Sequence, residues 1–335
     1  MVQVHIVDYP FSPEDCALEL RLTLLGRPVR ILTDSPRVFE ILRDMYASRH
    51  FAPTAAEPAL TFHCAVQCEA PWMVAMVGGR QVHVARPSAE RALVFDVFEW
   101  TPTGATPDGY FTYDVAYPQP TVDTTLELYA SHFARLVIQA VLGETPSMQI
   151  IHSGAVAWGG QGVMILAPTM GGKSSLTLAA TLHGGQFLSD DMTPVDLSDG
   201  MMLPFPRAVR LREASCELVP EFKRLRRGVT VDVGGEARHY VHPEILGPET
   251  LGGSVPLTHV IRLRGFAEQP RLTPVPAAAM AFACVEADCF ATGQEALDLA
   301  WKWAARLQEQ VCADLVAGPP LVTAGKLRDF VEGHA

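Results

Sequence analysis

The sequence predicts an α/β chain in two parts, a small strand-rich α+β unit over residues 1–120 and an α/β unit over 121–335. Three observations predict it. An apolar strand, Gly162-Val163-Met164-Ile165-Leu166, runs into a glycine-rich turn and then into a helical pattern over 175–183. Short strand-like segments divided by turn signals fill the first part, with one helical stretch among them. Pro118 and Pro120 then interrupt the chain just before a long amphipathic pattern, 124–142, where the boundary is expected.

Taken in order, residues 2–7 alternate weakly as a strand. Segments 21–25 and 28–32 pair across Gly26-Arg27, and 35–47 has helical spacing with Val38, Ile41, Leu42 and Met45 on one face. Segments 72–77 and 81–85 flank Gly78-Gly79-Arg80 as a hairpin, and 92–98 and 110–115 add strands on either side of a Pro/Gly/Thr-rich loop, 101–109. In the second part the helix 124–142 ends at Gly143 and a strand covers 149–157. Gly159-Gly160 turns the chain into the strand 162–166, and a short strand at 186–188 meets Ser189-Asp190-Asp191. Helices are expected over 214–227, 277–285 and 294–315, strands over 258–263 and 321–323, and a last helix to about Val331.

Hydrophobic residues make up 48% of the 335 residues and charged ones 19%, which suits a globular chain with a sizeable core. The net charge of -11 argues against a general nucleic-acid binder, which presents a basic face. Apolar runs fall short of the ~18 residues of a membrane span, and the N-terminus lacks the basic-then-apolar order of a signal peptide. The expectation is a cytoplasmic protein with seven reduced cysteines and no membrane association. His63, Cys64 and Cys68 lack a second Cys/His pair at finger spacing, so an alternating strand explains them better than a metal site.

The chemistry concentrates at Ala167-Pro168-Thr169-Met170-Gly171-Gly172-Lys173-Ser174-Ser175. Strand, glycine loop, Lys-Ser and helix together form a phosphate cradle, because backbone N–H groups at a helix start and one lysine answer the charge of a polyphosphate. Ala167 stands where the pattern has its first glycine, and Pro168 offers no N–H. The cradle therefore falls to Thr169, Met170, Gly171, Gly172, Lys173, Ser174 and Ser175, with Lys173 reaching the phosphates of ATP and the Ser174 hydroxyl holding Mg²⁺.

Asp190 and Asp191 close the strand after the loop helix. One carboxylate can serve the metal and the other the hydroxyl that attacks the phosphate. His152 lies on the strand before the loop strand, where a lone histidine is ordinarily a core residue. In Pro204-Phe205-Pro206-Arg207-Ala208-Val209-Arg210 the prolines stiffen the chain, and Arg207 and Arg210 could grip a phosphate or an acidic acceptor, or form a solvated basic edge.

These residues, in this order, resemble the catalytic domain of HPr kinase/phosphorylase, and more closely the HPr-kinase-related proteins, in which a Pro-Phe-Pro-Arg run also follows the acidic pair. The resemblance covers about 124–335, with its specific part at 152–212. It implies a phosphoenolpyruvate-carboxykinase-like P-loop kinase fold with a mixed sheet, and an ATP- and Mg²⁺-dependent kinase acting on a serine of a peptide or protein. Lasso-peptide precursors are acceptors of some relatives, and relatives form homo-oligomers. By residue it implies Asp190 as the base, His152 beside it, and Asp191 on the metal side with Ser174; Arg207, read from its own proline-flanked run, is expected to join the catalytic set. Ala167-Pro168 replaces the Gly-Asp start of the HPr-kinase loop, and the Glu-x-x-Gly signature is not found at its expected place after Asp191. Phosphorolysis, and HPr itself as acceptor, are therefore not expected. A small-molecule or carboxykinase-like enzyme and a non-catalytic nucleotide sensor are the alternatives.

Overall fold

The structure is a computed structural model that describes residues 17–58, 60–64, 73–77, 81–87, 94–101, 104–112, 122–142, 145, 147–168, 170–233, 236–289 and 295–334. The strand expected over 2–7 lies outside them. Two units form, one of residues 1–144 with 229–237 and one of 145–228 with 238–335.

In the first unit seven strands follow one another across a sheet: β1 (Leu18–Leu24), β2 (Arg27–Thr33), β3 (Leu60–Cys64), β4 (Met73–Val77), β5 (Gln81–Pro87), β6 (Val94–Thr101) and β7 (Gly104–Thr112). Neighbours are antiparallel except β2 and β3, which are parallel and whose crossover carries helix α1 (Pro36–Met45). Leu25 and Gly26, at φ of 49° and 78°, make the tight turn between β1 and β2. Ser35 caps α1 by accepting from the Val38 N–H, Pro36 opens it, and Val38, Ile41, Leu42 and Met45 are buried, as the spacing predicts. Helix α2 (Val122–Leu142) packs on α1, β3 and β4, with Phe133 edge-on to Phe62 at 6.4 Å. It therefore groups with the first unit, not the second as its position after Pro118 and Pro120 suggested. Of the segment expected as a loop, Thr101 ends β6, residues 102 and 103 lie outside the described residues, and 104–109 are strand. Residues 104–109 form most of β7, and a register shift between Val97 and Phe98 of β6 accommodates Pro107.

From residue 145 on the elements are β8 (Met148–Ile151), β9 (Ser153–Trp158), β10 (Gln161–Leu166), α3 (Lys173–Leu182), β11 (Gln186–Ser189), β12 (Thr193–Asp196), β13 (Met201–Met202), β14 (Val209–Arg212), α4 (Glu213–Leu218), β15 (Arg226–Val233), β16 (Glu236–Val241), β17 (Val255–Phe266), β18 (Arg271–Pro274), α5 (Ala277–Glu286), α6 (Glu295–Arg306), β19 (Val311–Ala317) and α7 (Pro320–Glu332), all in the second unit except residues 229–237 of β15 and β16. The main sheet of the second unit is mixed. It runs β11-β9-β10-β17-β13-β12-β8, with β19 beside β17 and β18 beside β19. β10, β17 and β19 are parallel to one another, and the other pairs are antiparallel. The period-two alternation of β10 and β17 divides the core. Val163, Ile165, Ile261 and Leu263 pack with α3 and α7, whereas Met164, Leu166 and Val260 pack with Met280 of α5 and Trp303 of α6.

Four expectations change here, each because tertiary pairing or proline outweighs local pattern. The strand expected over 149–157 is two strands, β8 and β9, broken at His152. The helix expected over 294–315 stops at Arg306, and Val311–Ala317 becomes β19 because it completes the parallel ladder with β17. The strand expected at 321–323 lies inside α7, which Pro320 opens. The helix expected over 214–227 ends at Leu218, because Val219 precedes Pro220 and is driven to an extended backbone (φ -128°, ψ 92°).

Candidate active site

β9 and β10 form a hairpin across Gly159 and Gly160, both in the left-handed region at φ of 55° and 82°. β10 then delivers the chain to the loop 167–172. Gly171 N–H donates to Pro168 O at 2.9 Å, closing a turn, and Gly172 at φ 85° starts α3. No side chain caps α3, so its first N–H groups carry the positive end of the helix dipole without a side-chain acceptor. Thr169 lies outside the described residues. Met170 is exposed on the loop, at φ 62°, and accepts at Sδ from Arg212 Nη1 at 3.0 Å.

Lys173 is only 7% exposed. It reaches its position because β9 passes very close to α3. A methyl group on Gly154 would come 2.0 Å from Thr177 Oγ1 and 3.4 Å from Lys173 Cγ, so only glycine fits. Thr177 in turn donates to Lys173 O at 3.0 Å.

His152, Asp190 and Asp191 owe their placement to one irregularity in the sheet. β8 pairs with β12, and β9 pairs with β11, so the two chains cross from one antiparallel pairing to the other at His152 and at 190–192. The gap is stapled by Ser189 Oγ and Thr193 Oγ1 at 2.7 Å, and by Thr193 Oγ1 donating to Ser153 O at 3.2 Å. His152 N–H turns away to Ala287 O at 2.6 Å. Asp191 adopts φ 71°, a left-handed conformation that aspartate tolerates better than most residues. Freed from the ladder, the three side chains converge on the start of α3.

The contacts form two branches. In one, Ser174 Oγ donates to Asp190 Oδ2 at 2.7 Å. Asp190 is 5% exposed, and its other oxygen, Oδ1, is buried with no partner among the described residues. In the other, His152 Nδ1 stands 3.1 Å from both the backbone oxygen and Oδ1 of Asp191, while Lys173 Nζ lies 2.7 Å from His152 Nε2. This geometry fits a neutral imidazole that donates from Nδ1 and accepts from the ammonium at Nε2. Arg207 Nη2 donates to Asp191 Oδ2 at 3.3 Å. Arg207 is held there because Phe205 N–H donates to Leu188 O at 2.8 Å, laying the proline-flanked run beside β11, and its guanidinium lies 5.8 Å from the Phe205 ring centre.

The two carboxyls are pushed apart electrostatically. Burial, with the neighbouring Asp191 charge, raises Asp190 above its ordinary value despite Lys173 and Ser174. Loss of hydration opposes ionisation of Asp191, less so for a side chain 38% exposed, and His152, Lys173 and Arg207 outweigh it. Asp191 is therefore held well below the usual carboxylate range.

Of the residues singled out in sequence, the structure thus brings together Lys173, Ser174, Asp190, Asp191, His152 and Arg207, with Gly171, Gly172 and Ser175 framing the helix start. The pairing reverses the expected division: the hydroxyl of Ser174 joins Asp190, and His152 and Arg207 join Asp191. Arg210 lies on β14 opposite Tyr240. Gly154 and Thr193 were not singled out. Gly154 could have been found from its place in the glycine-flanked run after His152, whereas nothing in the sequence marks Thr193.

The residues present suit a divalent cation that keeps much of its own hydration. A buried carboxylate oxygen without a partner stands beside a loop serine, and among the described residues no cluster of three or more His, Cys, Asp or Glu forms a cage. No described helix is long and apolar enough to cross a membrane.

No family model matches the chain, and no curated protein matches it. Among solved structures, the Hpr(Ser) kinase/phosphatase from Coxiella burnetii is similar at a TM-score of 0.30 and 13% identity, over 56% of this chain and 98% of that chain. A likeness of that size carries no argument about what this chain does.

Proposed function

We propose that the second unit is an ATP- and Mg²⁺-dependent kinase that transfers the γ-phosphoryl group to a serine hydroxyl of a peptide or protein. The observation that carries this reading is the Ser174–Asp190 hydrogen bond, 2.7 Å long, with its unpartnered Asp190 Oδ1 beside a buried loop lysine. An uncapped helix start, a lysine and a serine–carboxylate pair are the parts a polyphosphate site needs. Ser174 and Asp190 would hold Mg²⁺, which would neutralise phosphate charge and keep Asp190 ionised.

Asp191 then faces the acceptor. The new bond forms between the serine oxygen and the γ-phosphorus as the bond from that phosphorus to the β–γ bridging oxygen breaks, leaving ADP. The hydroxyl proton passes to Asp191. A loose phosphoryl-transfer transition state asks for orientation more than for a strong base, so an ionised carboxylate fixed by Arg207 and His152 suits the task although it is weakly basic. His152 links Asp191 to Lys173, so the base and the phosphate-binding cation share one hydrogen-bonded chain. The exposure of His152 (36%) and Asp191 (38%) favours an acceptor presented on a peptide over a metabolite enclosed in a pocket.

Transfer from γ-labelled ATP to a panel of serine peptides, with ATP affinity measured in parallel, tests the roles. Asp191→Asn is expected to lose about 10²–10⁴-fold in transfer while keeping MgATP affinity. Asp190→Asn is expected to raise the Mg²⁺ concentration needed for ATP binding. ATP binding without transfer to any acceptor, unchanged in both variants, would leave a nucleotide sensor in place of the enzyme.

A further inference from the structure

Two large apolar side chains stand exposed at the loop, Met170 at 74% and Phe266 at 67%. Met170 is engaged by the Arg212 guanidinium. Phe266 has no aromatic or cationic partner among the described residues. It is the last residue of β17, and its position is fixed: it pairs with Ala317 of β19, and the next N–H, that of Ala267, donates to Ala317 O at 2.7 Å. A methyl group on Gly172 would come 3.2 Å from its Cζ and 3.3 Å from its Cε1, so the ring abuts the glycine that starts α3. β10, β17 and β19 are the parallel strands of the sheet, and ligands of such sheets bind beyond the strands' carboxyl ends. Phe266 projects from one of those ends.

We infer that Phe266 is the platform on which the base of the nucleotide stacks, an assignment that rests on the polyphosphate site proposed above. An aromatic face left in water beside a phosphate cradle gains most from a ligand that is anionic at one end and flat and apolar at the other, which is the chemistry of a nucleoside triphosphate. Stacking needs only a π-face, so this contact strengthens binding without choosing between purines.

The test compares MgATP with magnesium tripolyphosphate, which keeps the phosphates and lacks the nucleoside, by calorimetry on the full chain. Phe266→Ala is expected to weaken MgATP about tenfold or more, to weaken MgGTP alike, and to leave tripolyphosphate within about twofold. Phe266→Trp is expected to hold MgATP near its original affinity. A parallel loss of both ligands would show that the ring only braces Gly172, and no loss of either would show that the base lies elsewhere; each overturns the assignment. Failure of wild type to bind either ligand would instead overturn the polyphosphate reading, and the assignment with it.

Discussion

The two units answer their buried polar groups in different ways. In the first, Thr33 and Ser48 each have a local duty: Thr33 Oγ1 donates to Cys64 O at 2.6 Å across the β2–β3 pair, and Ser48 accepts from His50 N–H to start a turn. In the second, the buried groups include Lys173, Asp190 and Arg207, all gathered at one break in the sheet. Burying charges costs several kcal/mol even when they are paired, and apolar residues of similar volume often serve stability better. Thr33 and Ser48 are explained by the fold they complete. Lys173, Asp190 and Arg207 are not, and the difference points to a ligand for the charges.

Among the variants that test this contrast, Lys173→Met should have the largest effect. Transfer is expected to fall by at least about 10²–10³-fold, the scale of losing one preorganised charge partner, while the chain still unfolds cooperatively by calorimetry. An early, broad transition with much of the activity kept would make the buried ammonium structural and break the contrast between the units.

Smaller, and of opposite sign for the two carboxylates, are the stability effects without nucleotide. Asp190 has a raised folded pKa, so its contribution is fully present below the unfolded value, about 3.9, and is lost as pH rises through the folded one. Asp190→Asn, which keeps an acceptor for Ser174, should therefore melt above wild type at pH 7, with the gap closing as pH falls toward about 4. Asp191 is depressed, so its contribution is present above the unfolded value and is lost as pH falls through the folded one. Asp191→Asn should melt below wild type at pH 7, and the gap should shrink only in acid. Melting curves across that range, without Mg²⁺, check both signs. Equal shifts for the two variants would remove the division of labour between the carboxylates.

Local chemistry made part of this legible in the sequence. The turn at 159–160 was readable, and the turn expected at Gly26-Arg27 and the helix expected from Ser175 fell within two residues of the turn at 25–26 and of the start of α3, because glycine and a Gly-Lys-Ser run fix backbone geometry within a few residues. Which residues gather at the start of α3 was readable in part from the same motif and the Asp pair. Their division was not, because which carboxylate meets Ser174 depends on how 190–192 crosses between two strand pairings. His152 reads as one more residue of an apolar strand, and only the pairing of β8 with β12 and of β9 with β11 takes it out of the ladder. The apolar stretch 311–317 fits a helix or a strand equally, and its parallel partner β17, more than forty residues earlier, decides. Phe266 looks like a strand residue until the loop is placed against it.

The smallest predicted effect is the sharpest check on the first unit. Thr33→Val keeps the shape of the side chain and removes the hydroxyl that donates to Cys64 O and accepts from Ser35 N–H at 3.2 Å. A buried carbonyl loses its side-chain donor, which should cost about 1 kcal/mol in denaturant unfolding. ATP affinity and transfer should not move, because among the described residues the hydroxyl answers only backbone groups of its own unit. A loss of transfer larger than the loss of stability would tie this buried polar group to catalysis, and the distinction between polar groups that complete a fold and polar groups that await a ligand would fail at its simplest instance.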